Sequence, residues 1–352
     1  MDQDKQLLSK KLKEIPELPG IYQMLDSKGR IIYIGKSKCL KKRVHSYFVE
    51  SPVWEKAAKM APLICDINYI VTDTHLEAML LECEMIKTVK PLFNTLMKND
   101  ERYVFLTFSN LSVRSGGKIL KATAAREENS FGLFRSRSRL QNFIDSMENL
   151  YPIAKKRKKL QFEYHVFPVK MVEKEREETC AILKKMFMDP AEMEEFLKLL
   201  EKKMKKAAKE QKFETALKYR DLMEHTGYVQ RNLREYREWT HSRFICSEET
   251  KRGTKYFFID NGLVIHKAFP ENKDTLLADG GERGNDNSSS DCDRKEIFLK
   301  EFEEVSLNIL KSGKKVPMTE KQMADYQDIV FTECAKMKKY PLQYTSEIEE
   351  TV

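Results

Sequence analysis

The sequence predicts an α+β fold. A small α/β domain, with a short mixed or antiparallel sheet flanked by helices, is followed by a helical hairpin and a less defined C-terminal α/β segment. Three observations predict this. Residues 20–34 hold two short apolar runs, one on each side of a turn at Asp26–Arg30, where Gly29 suits a positive φ. In residues 74–89, Thr74 precedes Glu77 by three positions, which is a capping box, and Pro91 closes the segment. In residues 192–237, Leu197, Leu200, Met204, Ala207 and Ala208 fall at helical spacing. After an interruption at Gln211–Phe213, Ala216, Leu217, Leu222 and Met223 continue it.

The remaining elements follow in order. Residues 6–14 suit a lead-in helix that ends at Pro16 and Pro19. Residues 36–48 and 53–61 read as helices, and 66–72 alternates as a strand does. Tyr103–Phe108 reads as a strand and 138–150 as a helix. Between them and the hairpin lies the basic run Lys155, Lys156, Arg157, Lys158 and Lys159, in its plainest form a solvated loop. Residues 255–269 form a second hairpin, because Asn261–Gly262 is a type I′ turn signal between apolar runs. Residues 278–294 have the composition of a disordered loop, and 295–311 read as a final amphipathic helix. The domain division expected is 14–103, 104–191, 192–237 and 238–352.

The chain of 352 residues carries a net charge of +8 with clustered basic residues, which fits an anionic partner. No run of apolar residues is long enough to span a membrane. The first twenty residues are charged and have no apolar stretch of the signal-peptide kind. Seven cysteines, an odd number with no Cys-x-x-Cys pair, argue for a reducing compartment, hence the cytoplasm, and against a disulfide scaffold or structural zinc.

One carboxylate stands out. On a helix, Glu82 has Ala78, Met79, Met85 and Ile86 as its neighbours at three and four positions, all apolar. A carboxylate there is costly unless it is paired or bound to a cation, so a salt bridge to Arg43 or Lys36 and a metal ion are both open. Glu77 and Glu84 have more polar surroundings, and Glu84 can pair with Lys87. Lys36, Arg43 and Tyr47, at intervals of seven and four, would share one face of the 36–48 helix.

The triplets Gly20-Ile21-Tyr22 and Tyr33-Ile34-Gly35, with the basic stretch after them, resemble the GIY-YIG nuclease family. The flanking sequence is most similar to the amino-terminal nuclease half of UvrC, a bacterial DNA-repair excinuclease subunit. The resemblance implies metal-assisted phosphodiester hydrolysis. Glu82, in a Glu-Ala-x-Leu-Leu-Glu run, would be the single protein ligand for Mg²⁺ or Mn²⁺. Either Tyr22 or Tyr33, with Tyr33 preferred, would accept a proton from water with help from Lys36. Arg43 would clamp the phosphate, Tyr47 would bind phosphate or order a water, and Asn94 would support the site. Lys38, Lys41, Lys42 and the run Lys155–Lys159 would touch the DNA backbone.

Residues around Met204, Ala208, Phe213, Ala216 and Arg220 resemble the UVR motif, the helical hairpin through which UvrC meets UvrB. The four-cysteine segment that UvrC places after its middle region has no counterpart here, so no iron–sulfur cluster is expected. The pattern resembles the shortened Cho-type homologues more than full UvrC. It implies a single incision, on the 3′ side, in lesion-bearing double-stranded DNA during nucleotide excision repair, within the SOS response. The competing readings are a structure-specific nuclease outside excision repair and a non-catalytic module that binds DNA or UvrB.

Overall fold

The computed structural model describes residues 2–49, 55–98, 103–109, 118–157, 159–270, 291–312 and 319–342. The chain forms two units, residues 1–99 with 241–352, and residues 100–240. The α+β architecture expected from the sequence is the one observed.

The first unit opens with α1 (Asp2–Glu14), β1 (Gly20–Leu25), β2 (Ile31–Ser37), α2 (Leu40–His45) and α3 (Glu55–Met60). It continues with a 3₁₀ turn at Ala61–Leu63, β3 (Asp66–Val71) and α4 (His75–Val89). The sheet is antiparallel in the order β2-β1-β3. Its central strand β1 is buried at every position, as a strand covered on both faces should be. The β1–β2 turn is organised by Asp26, whose carboxylate accepts the amides of Lys28 and Arg30. The capping box of α4 is present, with Thr74 and Glu77 bonded reciprocally.

The single helix expected over 36–48 is a correction. Lys36 and Ser37 pair with Ile21 and Gly20, so β2 extends through them, and α2 begins only at Leu40. The ladder bonds to β1 outcompete local helix propensity here. Lys36 therefore does not share a helical face with Arg43 and Tyr47.

The second unit holds β4 (Val104–Phe108), β5 (Leu120–Thr123), β6 (Ser130–Phe134), α5 (Arg137–Glu148), β7 (Ala154–Lys156), β8 (Lys159–Gln161), α6 (Glu173–Met188), α7 (Pro190–Lys209) and α8 (Phe213–Thr240). A sheet in the order β5-β4-β6 packs with α5–α8 around one core that includes Phe134, Phe143, Phe187, Phe196 and Val229. Asp189 caps α7 and Pro190 occupies its first turn. The α7–α8 break is a Schellman turn: Lys212 N–H bonds Ala207 O, Gln211 N–H bonds Ala208 O, and Gln211 sits at φ 60°. The basic run is not a plain loop. Its described residues form the β7–β8 hairpin, turned at Arg157 (φ 50°), while Lys158 lies outside the described residues.

The chain then returns to the first unit with β9 (Arg243–Thr250), β10 (Gly253–Asp260), β11 (Leu263–Ala268), α9 (Asp291–Lys311), α10 (Glu320–Cys334) and β12 (Lys338–Tyr340). The sheet order is β11-β10-β9-β12. The Asn261–Gly262 turn has φ of 50° and 73°, as a type I′ turn requires. Of the segment expected to be disordered, 278–290 lies outside the described residues and 291–294 is the first turn of α9. Nor is α9 the final helix, since α10 and β12 follow it. Leu76, Met79, Leu80 and Cys83 of α4 share one apolar cluster with Cys246, Phe257 and Ile259 of the second sheet and with Ile329, Val330 and Cys334 of α10. The back of α4 is thus the core of this half of the unit.

Candidate active site

Three tyrosines and one glutamate meet at the β1–β2 edge of the first unit. In the β1–β2 register Tyr22 lies opposite Gly35, and Met24 lies opposite Tyr33, which makes the two tyrosines diagonal neighbours. A β-carbon at position 35 would overlap the Tyr22 hydroxyl, so only glycine lets the ring lie across β2. Tyr47, just past α2, completes the cluster. The ring centroids of Tyr22, Tyr33 and Tyr47 are 5.8–6.2 Å apart pairwise.

The Tyr22 and Tyr47 hydroxyls hydrogen-bond at 2.8 Å, and Arg43 Nε donates to the Tyr22 hydroxyl at 3.3 Å. The Arg43 guanidinium also lies 5.4 Å from the Tyr47 ring centroid. Arg43 and Tyr47 are four residues apart, which is why the short α2 and its following turn suffice to bring them together. Tyr22 and Tyr47 are buried, whereas Tyr33 is partly exposed.

Glu82 reaches the same place from α4. Its Oε1 accepts the Lys36 backbone amide at 3.0 Å, which fixes the carboxylate at the end of β2. Burial raises its pKa, while the Lys36 and Arg43 charges pull it down less strongly. Asn94 grips the neighbouring residue of β2 on both sides. Its Oδ1 accepts from Ile34 N–H at 2.9 Å, and its Nδ2 donates to Ile34 O at 2.8 Å. A side-chain amide here does the work of an extra strand.

Burial raises the Tyr33 pKa, the nearby Tyr47 and Glu82 add to the rise, and Arg43 opposes it. Tyr22 is raised further, again by burial first. Lys36 lowers the pKa of Glu82 and, behind burial, that of His75, which falls to about 4. Sequence reasoning also missed Lys56 of α3, whose ammonium lies 5.3 Å from the Tyr33 ring centroid. Nothing in the 53–61 pattern separates that lysine from its neighbours.

The polar surroundings of Glu77 come from the second sheet: it is 9% exposed, and Lys255 and Lys267 both bond its Oε1. Those lysines lie far along the chain, so helical spacing could not reveal them. Lys87 likewise pairs with Asp325 rather than serving Glu84 alone.

The remaining candidates lie elsewhere. Lys38, just before α2, and Lys42, within it, are exposed, and Lys41 pairs with Glu17 at 3.6 Å. In the second unit Lys155 is tied to Glu192, while Lys156, Arg157 and Lys159 project from the β7–β8 hairpin. At the α7–α8 hairpin Met204 and Ala216 pack partly into the core, whereas Ala208, Phe213 and Arg220 are exposed.

The arrangement suits a divalent cation of the magnesium kind. Among the described residues no group of three or more His, Cys, Asp or Glu side chains could hold a metal ion, so a multi-ligand cage is not built here. Glu82 is a desolvated carboxylate with one hydrogen bond and nearby donors for anionic oxygens. That donor set fits an ion that keeps most of its shell as water and phosphate oxygen. No helix among the described residues is long and apolar enough to cross a membrane.

Two stretches of the chain match known families. A family model described as the UvrC-like GIY-YIG domain matches residues 18–95, and one for the UvrB/UvrC motif matches residues 194–225. The UvrABC system protein C of Desulfitobacterium hafniense is 35% identical over 234 residues, covering 62% of this chain and 37% of that protein. That of Acetivibrio thermocellus is 31% identical over 283 residues, covering 73% and 44%. The chain thus spans less than half the length of these relatives. The magnesium-bound GIY-YIG N-terminal endonuclease domain of UvrC from Thermotoga maritima is 35% identical. The match covers 25% of this chain and 97% of that one, at a TM-score of 0.24.

Proposed function

Because residues 18–95 form a UvrC-like GIY-YIG domain and residues 194–225 a UvrB/UvrC motif, we propose that this protein is a divalent-metal-dependent DNA endonuclease of nucleotide excision repair. It makes a single incision, on the 3′ side of a lesion in double-stranded DNA, together with UvrB, in the cytoplasm. The functional division follows the sequence: a nuclease over 14–103, a connecting region over 104–191, a partner-binding hairpin over 192–237 and a C-terminal region without an assigned role over 238–352. The observation that carries the reading is the meeting of Tyr22, Tyr33, Tyr47, Arg43 and Glu82 at the end of β2.

Glu82 would hold the metal, Mg²⁺ or Mn²⁺, as its protein ligand. When bound, that ion polarises the scissile phosphate and stabilises the leaving oxygen. Arg43 presents a planar fork to the phosphate oxygens, held in place by the Tyr22 hydroxyl and the Tyr47 ring. Tyr33, the most exposed of the three phenols, takes the proton of the attacking water. Burial, Tyr47 and Glu82 raise its pKa and Arg43 lowers it; a cation on Glu82 would offset the Glu82 contribution and favour the ionised phenol that acts as base. Tyr22 and Tyr47 position Arg43, Lys36 balances the charge of Glu82, and Asn94 keeps β2 in place.

DNA contact falls to exposed lysines near the site, Lys38 and Lys42, and to the β7–β8 hairpin. These read phosphates rather than bases, so damage specificity comes from the partner. The α7–α8 tip, with Phe213, Ala208 and Arg220 exposed, is the surface offered to UvrB.

The test is nicking of a labelled, lesion-bearing duplex with Mg²⁺ or Mn²⁺, with and without UvrB, in wild type and Glu82→Ala. A single UvrB-dependent nick that the variant loses is expected. Equal nicking by both proteins would sink the role of Glu82, and nicking without any need for UvrB would sink the repair assignment.

A further inference from the structure

We propose that the returning segment, β9–β12 with α10, positions the metal-holding helix, and that Glu77 and Lys87 are the positioning residues through which it does so. The inference rests on the reading of Glu82 as the metal ligand and gives residues 241–340 a role in the same chemistry.

The argument is geometric. Glu77 and Lys87 stand five residues before and five residues after Glu82 on α4. Five residues of helix turn through about 140° beyond a full circle and rise about 7.5 Å. Glu82 therefore points away from both, and the two tethers hold the helix from behind, one on each side of it along the axis. A helix fixed at one point can roll or slide; one fixed at two such points cannot do either freely.

Both tethers are charged and buried. Glu77 Oε2 accepts the Thr74 amide and hydroxyl, which closes the start of α4, while its Oε1 receives Lys255 and Lys267 from β10 and β11. Lys255 also bonds Asp73 at 2.6 Å, just ahead of the helix. At the other end Lys87 meets Asp325 of α10 at 2.8 Å, with both side chains less than a tenth exposed. Between them Leu76, Met79, Leu80 and Cys83 pack on the second sheet and α10. Buried ion pairs add little net stability, but they specify one arrangement, because any other leaves a charge uncompensated. The Glu82 carboxylate must meet the Lys36 amide at 3.0 Å, and a small roll of α4 would break that bond.

The test uses the full chain. Mn²⁺ binding is followed by electron paramagnetic resonance and nicking by Mg²⁺ titration, for wild type, Glu77→Gln, Asp325→Asn, Lys267→Met and Glu82→Ala. Arg243→Gln serves as control, since it breaks the Arg243–Asp260 pair within the second sheet itself. Lys267 is half-exposed, so its variant tests the tether even if the more buried changes unfold the chain. Tether variants should bind Mn²⁺ roughly tenfold more weakly, with the Mg²⁺ requirement rising in step and the KM for DNA unchanged, as for other residues that orient a ligand. The control should lose thermal stability without that shift. Folded tether variants with wild-type Mn²⁺ affinity would overturn the inference, as would an equal shift in the control. If Glu82→Ala binds Mn²⁺ as wild type does, the reading of Glu82 falls and the inference falls with it.

Discussion

Glu82 and Glu77 lie five positions apart on one helix and have opposite electrostatic fates. Burial raises the Glu82 pKa above its ordinary 4.5, so at neutral pH its charge costs folding energy. Glu82→Gln should therefore raise the melting temperature at pH 7 in the absence of metal while removing activity, as measured by calorimetry beside the nicking assay; a lowered melting temperature would contradict it. For Glu77, burial pushes the pKa up but Lys255 and Lys267 pull it down further, to a net value below 4.5. Its stabilising effect is full above that pH and fades as pH falls through the lowered value. The stability difference between wild type and Glu77→Gln should then shrink below about pH 4.5. Gly35→Ala should cost about 1–3 kcal/mol and most of the activity, because the new methyl group displaces Tyr22. Denaturant unfolding checks the first part. Sequence alone picked out Glu82 by its apolar neighbours, but it could not show the lysine partners of Glu77, which lie beyond residue 250.

Elements with strong local signals were legible in the chain. The Thr74–Glu77 box marks the start of α4, Asn261–Gly262 marks the β10–β11 turn, and the gap at 211–213 separates α7 from α8. What escaped were elements specified by partners. Arg243–Thr250 is largely polar in its second half and becomes β9 because β10 and β12 flank it. Lys36 and Ser37 are helix-tolerant residues drawn into β2 by β1. At the α7–α8 tip, Phe213 is 69% exposed and Leu217 43%, a cost that an isolated hairpin does not need. Phe213→Ala should leave the melting temperature within about 0.5 kcal/mol of wild type in free-energy terms and weaken UvrB capture. Unaltered UvrB binding in a titration would move the contact elsewhere.

For the whole molecule, the net charge of +8 is the long-range signal, and its distribution decides what it does. Lys155 is occupied by Glu192, which leaves Lys156, Arg157 and Lys159 as the exposed cations among the described residues of the β7–β8 hairpin. Replacing those three with glutamine should reduce the slope of log affinity against log salt by roughly 3, with metal-dependent chemistry on bound DNA intact. An unchanged slope would exclude the hairpin as a phosphate contact.

The two-part composition of the first unit also sets a schedule. Residues 1–99 leave the ribosome early, but the residues that back α4 lie beyond 241, and synthesis of the intervening 100–240 takes roughly 7–30 s at ordinary rates. During that interval the apolar stripe of α4 and the Glu77 and Lys87 charges wait without their partners, and the contacts that complete them are of high sequence separation, hence slow to form. A nascent chain thus carries the tyrosines, Arg43 and Glu82 long before it carries the strands and helix that hold α4 from behind.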